Sequence, residues 1–128
     1  MMLAIRASIF LVAASAVGCG DILSTHSCTL ELVSAINVQV RDSVSGSMIA
    51  SGAQLFVRDG TYADSASHPA NRPELDSFSL KVAGERAGTY TVTVRKLSYR
   101  DWTRSNVQVT RDACHVIPAN LTALLQRA

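Results

Sequence analysis

From Ser34 onward, hydrophobic and polar residues alternate with a period of two in one segment after another. Ile36, Val38 and Val40 fall on one face of Ser34 to Asp42, with Asn37, Gln39 and Arg41 on the other. That pattern predicts a half-buried strand. Ser43 to Ser47 contains Gly46 and predicts a turn. Ala53 to Asp59 predicts a second strand with Leu55 and Val57 on one face, closed by the turn dipeptide Asp59-Gly60. Thr61 to Ala66 predicts a short edge strand, and Ser67 to Asp76, with Pro69, Asn71 and Pro73, a loop. Phe78, Leu80 and Val82 form the next alternating set, and Gly84 to Gly88 another turn.

Thr89 to Arg95 carries the clearest strand pattern, with Tyr90, Val92 and Val94 inward and three threonines outward. Tyr99 to Thr110 follows, with Val107 and Val109 in phase with Tyr99 but Trp102 out of phase. That conflict predicts either a bulge or a turn near Ser105-Asn106. A last strand is expected from His115 to Leu124, with Ile117, Ala119 and Leu121 on one face. Six or seven short strands separated by turn signals every ten or so residues predict a single all-β sandwich of the immunoglobulin-like kind. Its expected core is Ile36, Val38, Val40, Leu55, Val57, Phe78, Leu80, Tyr90, Val92, Val94, Tyr99, Val107, Val109 and Leu121.

The N-terminus has a different character. Met1 to Arg6 carries one positive charge, and Ala7 to Val17 is an apolar run broken only by Ser8 and Ser15. As a helix this run covers about 17 Å at ~1.5 Å per residue, too short for a bilayer core of about 30 Å. It fits the hydrophobic region of a secretory signal, and a buried core helix is the alternative. Residues 1–18 are therefore expected to be removed and 19–33 to form a tether to a domain over 34–126. Without Arg6 the chain carries 11 basic and 10 acidic side chains. The basic residues are scattered, not gathered on one arm, so no nucleic-acid partner is expected.

The run ends in Ala16-Val17-Gly18-Cys19, which resembles the lipobox of bacterial lipoproteins, with Ala16 in place of the usual leucine. The resemblance implies a diacylglycerol on the Cys19 thiol and, through it, a membrane-lipid anchor. The rival is ordinary signal cleavage near Ala14 to Ala16. Gly20 follows the cysteine where Asp would mark retention, which in enteric-type bacteria implies the outer membrane.

Three cysteines are present: Cys19, Cys28 and Cys114. With Cys19 lipidated, Cys28 and Cys114 are left to pair in an oxidising compartment, and two free buried thiols are the alternative. A bond there closes a loop of 85 intervening residues, worth about 4.5 kcal/mol of unfolded-chain entropy in the simple model. No Cys or His spacing suits zinc.

Two stretches carry a further resemblance. The first is Val38-x-Val40-x-Asp42, then Gly46, Ile49 and Gly52-Ala53-x-Leu55. The second is Gly88-Thr89-Tyr90-Thr91-Val92-Thr93-Val94, then Tyr99 and Val107-x-Val109. Together they resemble the carboxypeptidase regulatory-like domain, a transthyretin-like sandwich, over about Ala35 to Leu124. The resemblance implies a Greek-key sandwich whose first and last strands run side by side and parallel. It thereby places Cys28 and Cys114 at one end and supports their pairing. Relatives usually carry an Asp-x-x-Gly turn before the aromatic at Phe78; here the residues are Leu75-Asp76-Ser77, so a longer or differently shaped central loop is expected. One transthyretin-like group hydrolyses hydroxyisourate and ends in Tyr-Arg-Gly-Ser. This chain ends Leu124-Leu125-Gln126-Arg127-Ala128, so that activity is not implied.

Candidate chemistry is sparse. A nucleophile needs a base within reach, and the histidines are His26 in the tether, His68 in the loop and His115 beside Cys114. No G-x-S-x-G occurs. The acidic residues Asp59, Asp64 and Asp76 are too irregularly spaced for a calcium loop. No catalytic residue, cofactor or metal is expected. Arg100, Trp102 and Arg104 are the candidate partner contacts: an exposed Trp between arginines suits a sugar or a protein, whereas a packed Trp closes the sandwich. The expected function is a non-catalytic, lipid-anchored cell-envelope module that binds a protein or glycan or serves as a structural accessory. The alternative is a small envelope hydrolase using a loop histidine.

Overall fold

The computed structural model describes residues 27–128. The expected export signal, Cys19 and His26 lie outside them. Seven strands form in chain order: β1 (Ser34–Asp42), β2 (Gln54–Asp59), β3 (Tyr62–Ser67), β4 (Leu80–Gly84), β5 (Gly88–Arg95), β6 (Trp102–Val109) and β7 (Ala119–Leu125). They make a Greek-key sandwich of a three-stranded sheet, ordered β4-β1-β7, and a four-stranded sheet, ordered β3-β2-β5-β6. Strands β1 and β7 pair in parallel from Ile36↔Ala119 to Asp42↔Leu125, while every other strand pair is antiparallel.

The alternation does the work expected of it. Ile36, Val38 and Val40 of β1 meet Leu55, Val57, Tyr90, Val92 and Val94 of the facing sheet in one buried cluster. Three expected core positions differ. Phe78 is 60% exposed, because β4 begins two residues later, at Leu80. A short 3-10 turn at Pro73–Leu75 absorbs the preceding chain, and the Phe78 amide closes back on the Leu75 carbonyl. Tyr99 and Leu121 are only half-buried; the first sits in the β5–β6 connection and the second on β7, at the edge of its sheet. The last strand also starts later than expected, after Pro118, leaving Ile117 exposed in the loop.

Cys28 and Cys114 are joined, with their Cα atoms 5.2 Å apart. The bond ties the segment before β1 to the loop before β7, at the end where the parallel pair begins. At the opposite end, Asp42 closes β1. Its Oδ1 accepts the Val44 and Ser45 amides at 2.9 and 3.0 Å. Its Oδ2 accepts the Tyr99 hydroxyl at 3.0 Å and Arg127 Nε at 3.2 Å. The Ser45 and Val44 amides, then Tyr99 and Arg127, hold this buried carboxyl well below the usual carboxylate range.

Val92 is fully buried, whereas its neighbour Thr93 faces outward. Val92→Ala is expected to lower unfolding free energy by about 1–3 kcal/mol through lost core volume, and Thr93→Ala by about 0.5 kcal/mol or less. Urea titration of both variants checks the strand phase; equal losses would refute it.

Candidate functional site

The outward residues of the four-stranded sheet meet in register. One row runs Ser65, Phe56, Thr93, Thr103 across all four strands. On one side lies the row Ala63, Arg58, Thr91, and on the other Ser67, Gln54, Arg95. The sheet curves around these rows into an open concavity of about 590 Å³, lined chiefly by Phe56, Arg58, Ser65, Thr91, Thr93 and Arg95. Phe56 is the aromatic of this face, partly exposed among hydroxyl-bearing neighbours. Cross-strand pairing with Thr93 and Ser65 accounts for a phenylalanine at a strand position. It does not account for the part of the ring that stays exposed.

Charge is unevenly distributed here. The Arg95 guanidinium lies 5.2 Å from the Phe56 ring centre, and its Nε contacts Asp101 Oδ2 at 3.1 Å. Arg58 is exposed and has no ion pair or side-chain hydrogen bond among the described residues. Asp64 borders the concavity, but its carboxylate accepts the Ser65 amide at 2.8 Å and the Ala83 amide at 2.9 Å. The face therefore presents one cation without an ion pair among the described residues and one cation shared with a rim carboxylate.

Arg100, Trp102 and Arg104 sit at the adjoining edge. Tyr90 pairs with Val107 and Val92 with Arg104, so β6 carries one extra residue at Ser105–Asn106. Asn106 takes a left-handed φ of 55° there. This bulge returns Trp102 to the inward phase, opposite Val94, where it is half-buried against the core. The Arg104 guanidinium lies 5.2 Å from the indole. Arg100 and Trp102 share a small cleft of about 250 Å³ with Leu124 and Gln126, and Arg104 is outside its lining.

Sequence reasoning did not anticipate what surrounds His115. Its Nδ1 faces Glu85 Oε1 at 2.6 Å, and its Nε2 faces Thr29 Oγ1 at 2.9 Å. Glu85 Oε1 also accepts the Val33 amide at 2.9 Å, and Oε2 the Val116 amide at 3.3 Å. The Val33 amide, with His115 and Val116, holds the Glu85 carboxyl below its ordinary range against the opposing effect of burial. Hydroxyl, imidazole and carboxylate thus stand in the order of a nucleophile, base and orienting group. Two of the nearby amides are committed elsewhere: those of Cys114 and His115 point at Asp112 Oδ1, at 2.8 and 2.9 Å. An acyl transfer needs free donors for the developing oxyanion. The array instead fastens three segments beside the disulfide: the N-terminal strand approach, the β4–β5 turn and the β6–β7 loop. His68 turns its Nε2 to the Phe78 carbonyl at 3.1 Å. No group of His, Cys, Asp and Glu among the described residues is arranged to hold a metal.

No protein-family model and no curated protein matches this chain.

The packing of Trp102 has an optical consequence. Acrylamide quenching of this single tryptophan is expected to be well below that of free indole. Quenching near the free-indole rate would refute the packed arrangement and return Arg100, Trp102 and Arg104 to the head of the partner surfaces.

Proposed function

We propose that this chain is a non-catalytic module of the bacterial cell envelope, exported, anchored by lipid on Cys19, and binding its partner on the outer face of the four-stranded sheet. The observation that carries the binding half is the Phe56 face: a part-exposed ring beside the Arg95 guanidinium, and an exposed Arg58 with no ion pair among the described residues, on a concave, hydroxyl-lined sheet. Residues that merely solvate a sheet need neither. The anchoring half rests on Ala16-Val17-Gly18-Cys19 and on parity, since pairing Cys28 with Cys114 leaves Cys19 over. Gly20 after the cysteine favours the outer membrane where the organism has one. No helix among the described residues is long and apolar enough to cross a membrane.

The carboxypeptidase regulatory-like, transthyretin-like reading of the domain is part of the same proposal. It is supported by the two-sheet strand order and by the parallel pairing of first and last strands. That architecture hosts many activities, so function is argued from the face and not from the fold. The hydrolase reading has one geometry in its favour, the Thr29–His115–Glu85 array. The commitment of the Cys114 and His115 amides to Asp112 weighs against it, and an exposed threonine is a poor nucleophile without oxyanion donors.

Intact-mass analysis of protein purified from bacterial membranes is expected to show a mature chain beginning at Cys19 and carrying a diacylglycerol. A chain beginning before Cys19 without lipid mass would overturn the anchor.

A further inference from the structure

Within the proposed binding face, the class of ligand can be specified from the side chains. We infer that the outer face of the four-stranded sheet binds an acidic polysaccharide, with its uronate-type carboxylates held by Arg58 and Arg95 and a sugar ring seated on Phe56. This rests on the reading of that face as the binding surface.

Three observations converge on it. First, the cations are placed for a linear polyanion. Arg58 stands two residues beyond Phe56 on β2, and Arg95 pairs with Gln54, two residues before it. Their backbone rows are thus about 14 Å apart at ~3.4 Å per residue, and the Arg95 guanidinium leans back over the ring, 5.2 Å from its centre. A short oligosaccharide lying along the strands reaches both. Second, the chemistry of each contact fits. A guanidinium fork matches a carboxylate in two parallel hydrogen bonds. The aromatic face accepts the apolar C–H face of a sugar ring. Ser65, Thr91 and Thr93 offer hydroxyls that both donate and accept, as sugar hydroxyls require. Third, the face repels little. Asp64 is the one carboxylate lining the concavity, with its oxygens turned to two backbone amides, and Asp101 at the rim is held by Arg95. An acidic ligand displaces one exposed ion pair of small energetic weight and meets Arg58 unopposed. A protein partner would ordinarily want a larger apolar centre than one phenylalanine.

The test uses the full-length protein in detergent and two defined probes: oligogalacturonate and neutral dextran of matched length. Titration by calorimetry is expected to show binding of oligogalacturonate that weakens as salt is raised, and no binding of dextran. Arg58→Gln is expected to weaken it by about tenfold, the loss of one charge-assisted contact. The thermal midpoint should stay in place, because Arg58 has no side-chain partner among the described residues. Phe56→Ala is expected to weaken binding as well, with circular dichroism verifying the fold. Unchanged affinity in both variants would overturn the site. Dextran binding equal to that of oligogalacturonate, and lost in Phe56→Ala, would overturn the acidic specificity while leaving the face as a binding surface. No binding of either probe would overturn the inference, and lipid at Cys19, read by mass on the same preparation, stands or falls separately.

Discussion

Strand β1 lies between two neighbours that are distant in the chain. Its partners are β4 and β7, and the second of these pairings is parallel over seven residue pairs. A parallel pair cannot be closed by a tight turn. Everything from β2 to β6 must therefore be in place, or be held in one large loop, before β1 and β7 gain anything from each other. The Cys28–Cys114 bond acts directly on that constraint, because it joins the two segments that lead into the pair. Beside it, Glu85 and His115 bind Thr29, Val33 and Val116, so covalent and polar fastenings coincide at one end of the molecule. Asp42 fastens the other end, where β1 stops and the C-terminal Arg127 arrives. The polar groups with the most hydrogen bonds in the domain thus serve the β1–β7 seam.

This division leaves the opposite sheet free to vary its outer face. The inward residues Leu55, Val57, Tyr90, Val92 and Val94 fill the core. The outward residues of the same strands carry no comparable structural duty. On β5 they include Thr89, Thr91 and Thr93, as a solvated pleated surface favours. Phe56, Arg58 and Arg95 stand apart from that background, and they stand together. A binding surface on a rigid sheet has the further merit of needing little ordering when it is filled.

Much of this was legible in the chain because alternation reports one thing well: which face a residue occupies. The strand phases from Ile36 to Val109 follow from it, and the phase conflict at Trp102 signals an irregularity, a bulge or a turn, before Val107, which the register resolves as a bulge at Ser105–Asn106. Phe78 misled because alternation continued into a segment where Pro73 and the turn after it set the geometry. Glu85, Thr29 and His115 were illegible as a group. They come from three loops, and no period relates residues 29, 85 and 115. The Phe56 face was half legible. Each residue could be assigned outward, but Phe56, Arg58 and Arg95 become neighbours only through the β2–β5 register, which a single strand pattern does not contain.

The dependence of the fold on the β1–β7 seam can be measured by amide hydrogen exchange on the oxidised protein and on a Cys28→Ser/Cys114→Ser variant. The account predicts that the central amides of β1 and β7 are among the slowest in the oxidised protein and lose protection together in the variant, more than those of β2 and β5. Amides of β7 that exchange freely while β1 stays protected, or a variant whose seam is as protected as the oxidised protein, would contradict it.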